Sequence, residues 1–203
     1  MVMPQFRLFI DLFSEGRRTE PGYIESFAEQ YANGVVKVVI RRSGAHLPEL
    51  VESAIELSKQ QGASRYSNRH IYVVADKDEL SDAELQRLCA KVATYNANCT
   101  KRHQKITLCI SNPCIELWAL AHFMKKKFPI TAAGCQEKLK EFMPKFNHGN
   151  GQGTSLFNIN LMTEDKYKQA KDLATSWCAN CEHNPNGCPY TDIYILLEDI
   201  RRA

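Results

Sequence analysis

The sequence predicts an α/β fold in which helices flank a mostly parallel sheet. Over residues 1–125, four short runs rich in β-branched and aromatic residues alternate with segments whose apolar residues recur at helical spacing. Strands that alternate with helices favour a parallel sheet with crossover connections. The strand runs are almost continuously apolar, which is typical of strands covered on both faces.

The predicted strands and the first two helices follow one another at short intervals. A helix is expected from about residue 21 to residue 34, and a second from residue 48 to residue 62, because proline and glycine mark their ends and apolar residues recur between them. The four strands are predicted at residues 6–13, 35–40, 70–75 and 106–110.

Capping signals predict where two further helices begin. Ser81 with Glu84 three residues later forms the sequence signature of a capping box, which indicates that a third helix starts there. Ser111 and Asn112, followed by a proline, supply cap and first-turn signals for a fourth helix over residues 115–124.

The C-terminal part has a different character. Residues 126–203 are predicted to form a helical extension, integrated with the α/β core of residues 1–125, that carries a cysteine-containing loop. Two cysteines at C-x-x-C spacing are the usual half of a zinc site, so the loop could hold a structural Zn²⁺, and free thiols are the alternative. The candidate zinc ligands are Cys178, Cys181, His183 and Cys188.

Composition limits the classes of partner. The chain has 26 Lys and Arg against 23 Asp and Glu, a formal net charge of +3, so any nucleic-acid contact must come from a local basic patch. The N-terminus lacks a basic leader, and no apolar run has the length of a membrane helix. We therefore expect a cytoplasmic protein that has no membrane partner.

Acidic residues follow the predicted strands at the points where the chain leaves the sheet. Glu15 follows the first strand, Asp76 and Asp78 follow the third, and Glu116 lies just inside the helix after the fourth. Because parallel strands end at one edge, where ligands bind, these residues are expected to gather there. Carboxylate oxygens suit Mg²⁺ or Mn²⁺, and magnesium bound in this way takes further ligands from phosphate oxygens. The pattern predicts metal-dependent chemistry on phosphoesters.

Each acidic residue also has an explanation that involves no metal. Acids are favoured where a loop leads into a helix N-terminus, so the sequence DKDE at residues 76–79 could be a solvated loop. Glu20 could cap the first helix or bind the metal. Glu116 could reach the metal or hold its loop by hydrogen bonds.

Four sequence blocks stand out along the chain: SEGRRTEPGYIESF (14–27), VVADKDEL (73–80), SNPCIELWALAHF (111–123) and NPNGCPYTDIYILLEDI (184–200). The first three resemble the RloB-like family, and the fourth resembles it more weakly because Gly187 and Cys188 interrupt it. The Glu15 and Asp-x-Asp pattern resembles the Toprim fold more broadly.

The resemblance implies a metal-dependent nuclease of prokaryotic antiviral defence that works beside an ATPase partner. Its substrate would be DNA or RNA, including tRNA. The resemblance implies that Glu15 serves as acid/base or metal ligand and that Asp76 and Asp78 bind the Mg²⁺ or Mn²⁺ ion. Glu20 and Glu116 are further candidates at the same site. The number of metal ions and the formation of a homodimer are left open.

Four arginines lie near the predicted strand ends, where they could contact nucleic-acid phosphates or simply carry surface charge. They are Arg17, Arg18, Arg41 and Arg42. The alternative function is a non-catalytic Toprim-like or receiver-like domain that docks on an ATPase or on nucleic acid. A receiver domain needs paired acids after its first strand, and this chain has only the sequence SEG there.

Overall fold

Five strands form one sheet at the centre of the computed structural model, which describes residues 6–60, 68–77, 80–99, 104–126, 130–144, 146, 163–179 and 189–203. The strands are β1 (Leu8–Ser14), β2 (Val36–Ser43), β3 (Arg69–Asp76), β4 (Ile106–Asn112) and β5 (Tyr190–Thr191). The helices are α1 (Thr19–Ala32), α2 (Leu47–Gln60), α3 (Asp82–Ala97), α4 (Glu116–Ala121), α5 (Ala132–Phe142), α6 (Glu164–Ala179) and α7 (Ile193–Arg202).

The strand order β2-β1-β3-β4-β5 confirms the predicted α/β class with a mostly parallel sheet. Strands β1 to β4 are parallel, and β5 pairs antiparallel with β4. Because β2 lies on one side of β1 and β3 on the other, the direction of chain progress reverses between β1 and β3. In open parallel sheets such a reversal leaves a crevice at the carboxyl ends of the two strands, where ligands bind.

All four predicted strands are present, but each extends further towards its carboxyl end than the apolar pattern indicated. Strand β2 ends at Ser43, so Arg41 and Arg42 lie within the strand and not after it. The reason is that β2 is an edge strand, where charged side chains can face solvent without interrupting strand pairing. The capping box of Ser81 and Glu84 is confirmed at the start of α3.

Strands β1 and β3 form the centre of the core. Ile10, Leu12, Ile71 and Val73 are completely buried, and each such side chain contributes roughly 1.5–3 kcal/mol relative to an exposed one. Helix α2 packs on β3 and contacts α3, whereas α1 contacts β2 and α7. The central strands are thus buried beneath helices, and the residues at their carboxyl ends are held by this packing.

The C-terminal part completes the sheet. Strand β5 pairs with the end of β4, where the hydroxyls of Ser111 and Thr191 lie 2.9 Å apart, and α7 packs against α1 and β4. The sequence predicted only helices in this part because two strand residues are too few to show an alternating pattern. Each helix that the structure describes is too short or too polar to span a lipid bilayer.

Candidate active site

Glu15 and Asp76 meet in the crevice between the carboxyl ends of β1 and β3. Glu15 directly follows β1, and its backbone N–H donates to the carbonyl of Val74 in β3 at 3.0 Å. Its side chain is held by the same strand, because Oε2 accepts the backbone N–H of Asp76 at 3.1 Å. The strand order therefore brings together two acids that are far apart in the sequence.

Glu20 turns back from the start of α1 towards the loop that leaves β1. It is the second residue of the helix, and only 4% of its surface is exposed. Its Oε1 accepts the backbone N–H of Gly16 at 3.1 Å, whereas its Oε2 is buried without a hydrogen-bond partner among the described residues. A buried polar atom without a partner is costly, and it suggests a missing ligand.

Gly16 provides the space that this carboxylate occupies. A Cβ atom at position 16 would lie 1.8 Å from Glu20 Oε2 and 2.5 Å from Glu20 Cδ. Any other residue at position 16 would therefore have to displace the Glu20 carboxylate.

Glu116 approaches the same region from α4. It is the first residue of that helix, only 2% of its surface is exposed, and the thiol of Cys114 donates a hydrogen bond to its carboxylate. The backbone N–H of Ile115 donates to the carboxylate of Asp76, which places the start of α4 against the end of β3. Burial makes Glu116 part of the interior of the site and not a surface acid.

A buried hydrogen bond joins the two helices that carry Glu20 and Glu116. The indole N–H of Trp118 in α4 donates to the hydroxyl of Tyr23 in α1 at 2.7 Å, and both side chains are buried. Sequence reasoning assigned neither residue a role. The only signal was their position inside two of the four sequence blocks, SEGRRTEPGYIESF and SNPCIELWALAHF.

The four carboxylates repel one another. Burial first, and then the nearby charges of Glu20, Glu116 and Glu15, raise the pKa of Asp76 to about 9, although the hydrogen bond from Ile115 opposes the change. Burial also raises the pKa of Glu20, with smaller contributions from Glu116 and Glu15. Without a counter-ion, protons must therefore occupy part of this site at neutral pH.

The described residues do not form a complete set of metal ligands. In the ranges that the structure describes, no three His, Cys, Asp or Glu side chains are close enough together to hold a metal ion as they stand. Asp78, the second acid of the predicted metal-binding pair, lies outside the described residues. Of the candidate zinc ligands, Cys181, His183 and Cys188 and the side chain of Cys178 also lie outside them.

Basic residues near the crevice differ in their surroundings. His46, just before α2, has Nδ1 3.6 Å from Glu15 Oε1, and its side chain is 86% exposed.

The candidate arginines contact other parts of the fold. Arg41 pairs with the buried carboxylate of Asp11 at 2.5 Å. Arg42 contacts Glu49 and Ser53 in α2, and Arg17 lies across the turn after β2.

The expected cap of α4 is wrong in its residues. Ser111 and Asn112 belong to β4, and the N-cap position of α4 is Ile115, which makes no side-chain cap hydrogen bond. The reason is tertiary: pairing with β5 extends β4 through these two polar residues, and the hydroxyl of Ser111 lies against that of Thr191.

The free energy of unfolding is expected to decrease as pH rises in buffer without divalent cations. The pKa of Asp76 is about 9 in the folded chain against an ordinary value of 3.8, so between these values the folded state binds more protons than the unfolded state. The stability from the protonated group is fully present below the unfolded pKa and is lost as pH rises through the folded pKa. The contribution of this group to the slope of the free energy of unfolding against pH approaches about 1.4 kcal/mol per pH unit.

Urea unfolding in EDTA between about pH 5 and pH 8 measures this slope. Asp76→Asn is the matched variant, because it keeps the shape of the side chain and removes the titration. The slope for Asp76→Asn should be clearly shallower than that of the wild type. Equal slopes would show that Asp76 does not take up the proton.

The chain matches a known protein family over most of its length. The sequence model of a family described as RloB-like protein matches residues 10–200. The matched range includes Glu15, Glu20, Asp76 and Glu116 and leaves out only residues 1–9 and 201–203. No curated protein and no solved structure matches the chain significantly.

Proposed function

Since the chain belongs to the RloB-like protein family, we propose that it is a metal-dependent nuclease that hydrolyses phosphodiester bonds of DNA or RNA. We propose prokaryotic antiviral defence as its setting, with an ATPase as its partner. Family membership supports the general class, and the chemistry of the crevice supports the reaction type. The substrate class is the first question for experiment.

The observation that carries this proposal is the buried Oε2 of Glu20, which lies beside three other carboxylates and has no hydrogen-bond partner in the part of the chain that the structure describes. Folding gathers these carboxylates at the crevice, where burial and their mutual repulsion raise the pKa of Asp76. All the candidate metal-binding atoms are carboxylate oxygens, which are the ligands that Mg²⁺ and Mn²⁺ prefer. A hard divalent cation would supply the missing partner of Oε2 and remove the repulsion that raises the pKa of Asp76.

In this proposal Asp76 and Glu20 hold the cation, with Asp78 as a further ligand and Glu116 completing the acidic wall. When bound, the cation would polarise the phosphodiester and lower the pKa of an attacking water. Glu116 would keep its position through the Cys114 thiol and the anchored helix α4.

Glu15 would orient or deprotonate the attacking water. Its Oε2 is already engaged by the backbone N–H of Asp76, which fixes the plane of the carboxylate. We therefore assign the proton transfer to Oε1, the oxygen on the side of His46. A general base must lie within hydrogen-bond reach of the proton that it removes, so this assignment requires the attacking water to lie beside Oε1.

The purified chain is expected to cleave one of three substrate pools in the presence of Mg²⁺ or Mn²⁺: plasmid DNA, total RNA or a tRNA pool. Glu15→Gln should cleave none of them, because the amide cannot accept the proton at neutral pH. Each reaction is followed on a denaturing gel, with EDTA as the control for metal dependence.

Cleavage by the wild type alone would name the substrate class. Equal cleavage by Glu15→Gln would remove Glu15 from the chemistry. If no pool is cleaved, the assay is repeated with the ATPase partner. Failure there too, together with retained binding of nucleic acid, would favour the non-catalytic docking domain.

A further inference from the structure

A nucleic-acid substrate faces an electrostatic problem at this crevice. Its backbone carries one negative charge per phosphate, and the crevice holds four carboxylates whose charges already repel one another. A single divalent cation would leave the site negative when all four are ionised. The phosphates beside the scissile one therefore need a cationic side chain from the protein.

The four candidate arginines are not equivalent in the structure. Arg41 is paired with the buried Asp11, and Arg42 is bound to Glu49 and Ser53, so both have structural partners within the fold. Arg17 and Arg18 are exposed on the loop between β1 and α1. The backbone carbonyl of Arg18 accepts the N–H of Gly22 and helps to start α1.

Arg17 has a specific seat on the turn after β2. A Cβ atom at Gly44 would lie 2.5 Å from Arg17 Nε and 2.6 Å from Arg17 Cγ, so the arginine side chain crosses directly over this glycine. Gly44 has a φ of +74°, a backbone conformation that favours glycine, and its N–H donates to the carbonyl of Ser14 at 3.1 Å. The turn is thereby tied to the end of β1.

The same turn reaches the acidic site. His46 lies two residues after Gly44 and approaches Glu15 through the 3.6 Å contact between Nδ1 and Oε1. Two backbone segments therefore connect Arg17 and the turn beneath it with the crevice: the loop from Glu15 to Arg17 and the turn from Gly44 to His46.

We propose that Arg17, seated on Gly44, binds a backbone phosphate of the substrate next to the scissile phosphate. The proposal rests on the proposed nuclease function. It adds the path of the substrate, because the nucleic-acid strand would enter the crevice across the turn between β2 and α2. Gly44 is then a positioning residue whose missing side chain lets the guanidinium lie across the turn. The planar guanidinium can bind two phosphate oxygens at once.

Binding of labelled DNA and RNA oligonucleotides, measured by fluorescence anisotropy, tests this assignment. Ca²⁺ serves as the cation because it takes the same oxygen ligands, and a denaturing gel confirms that each probe stays intact. Arg17→Ala should weaken binding about tenfold, whereas Arg18→Ala, with the same loss of charge one residue away, should weaken it less than about twofold. The slope of log K against the logarithm of the salt concentration should become shallower by about one for Arg17→Ala only.

Gly44→Ala tests the position of the Arg17 side chain separately from its charge. It should weaken binding like Arg17→Ala although Arg17 is still present, and it should add nothing in the Arg17→Ala background. If Gly44→Ala does not fold, as judged by circular dichroism, Arg17→Lys replaces it. That variant keeps the charge, loses the planar fork and should recover only part of the binding.

The outcomes separate two kinds of failure. Equal weakening by Arg17→Ala and Arg18→Ala, or full binding by Arg17→Lys, would overturn the seated phosphate contact and leave the nuclease proposal standing. Failure of the wild type to bind either probe, both alone and with the ATPase partner, would overturn both.

Discussion

Asp76→Asn is expected to abolish metal-dependent cleavage of nucleic acid and to stabilise the folded chain in the absence of metal. Asparagine keeps the size of the side chain and removes one of the charges that burial and three other acids make unfavourable. The rate should fall at least about 10³-fold, because several kcal/mol of transition-state stabilisation depend on the bound cation. In EDTA at about pH 8 the free energy of unfolding should rise by about 1–3 kcal/mol.

Both quantities are measured on the same preparations, by initial cleavage rates and by urea unfolding. Asp82→Asn is the matched control, because Asp82 is an acid close by in the sequence that forms a partly buried ion pair with Lys77. That variant should keep its cleavage rate within about twofold and, unlike Asp76→Asn, should lose about 1–2 kcal/mol of stability. A stable Asp76→Asn variant with full activity would exclude Asp76 from the site. A destabilised and inactive variant would indicate that Asp76 acts only in folding.

Gly16→Ala is expected to inactivate the site through the carboxylate of Glu20. The added Cβ would lie 1.8 Å from Glu20 Oε2, and Glu20 is buried, so its carboxylate has little room to move aside. The φ of Gly16 lies outside the left-handed range, so alanine strains the site and not the backbone. We expect at least about a 10²-fold loss of cleavage rate and a stability loss of about 1–3 kcal/mol from overpacking.

Gly34→Ala provides the control for the presence of a methyl group. Gly34 has a φ of +78°, and no atom of the described residues lies within 4 Å of a Cβ there, so alanine strains the backbone without touching the site. It should cost about 1 kcal/mol of stability and leave activity intact. In a Glu20→Ala background, Gly16→Ala should have no further effect on stability. An active Gly16→Ala variant would mean that the reaction does not depend on the position of Glu20.

The fold class could be predicted because its signals are local. Apolar runs such as residues 70–75 and the alternation of strands with helical patterns identify a parallel sheet before any contact is known. The capping box of Ser81 and Glu84 spans only four residues, and the structure contains it as expected. Strand β5 could not be predicted, because Tyr190 and Thr191 become a strand only by pairing with β4.

For the candidate site, the sequence by itself determined which elements carry the acids: Glu15 follows a first strand and Asp76 follows a third, and parallel strands share one edge. Only the tertiary structure decided which groups face each other. The hydrogen bond from the backbone N–H of Asp76 to Glu15, the hydrogen bond from Trp118 to Tyr23 and the pairing of Arg41 with Asp11 join segments from separate elements. Periodicity and capping depend on neighbours within a few residues, whereas these contacts depend on how helices and strands pack, which no local pattern encodes.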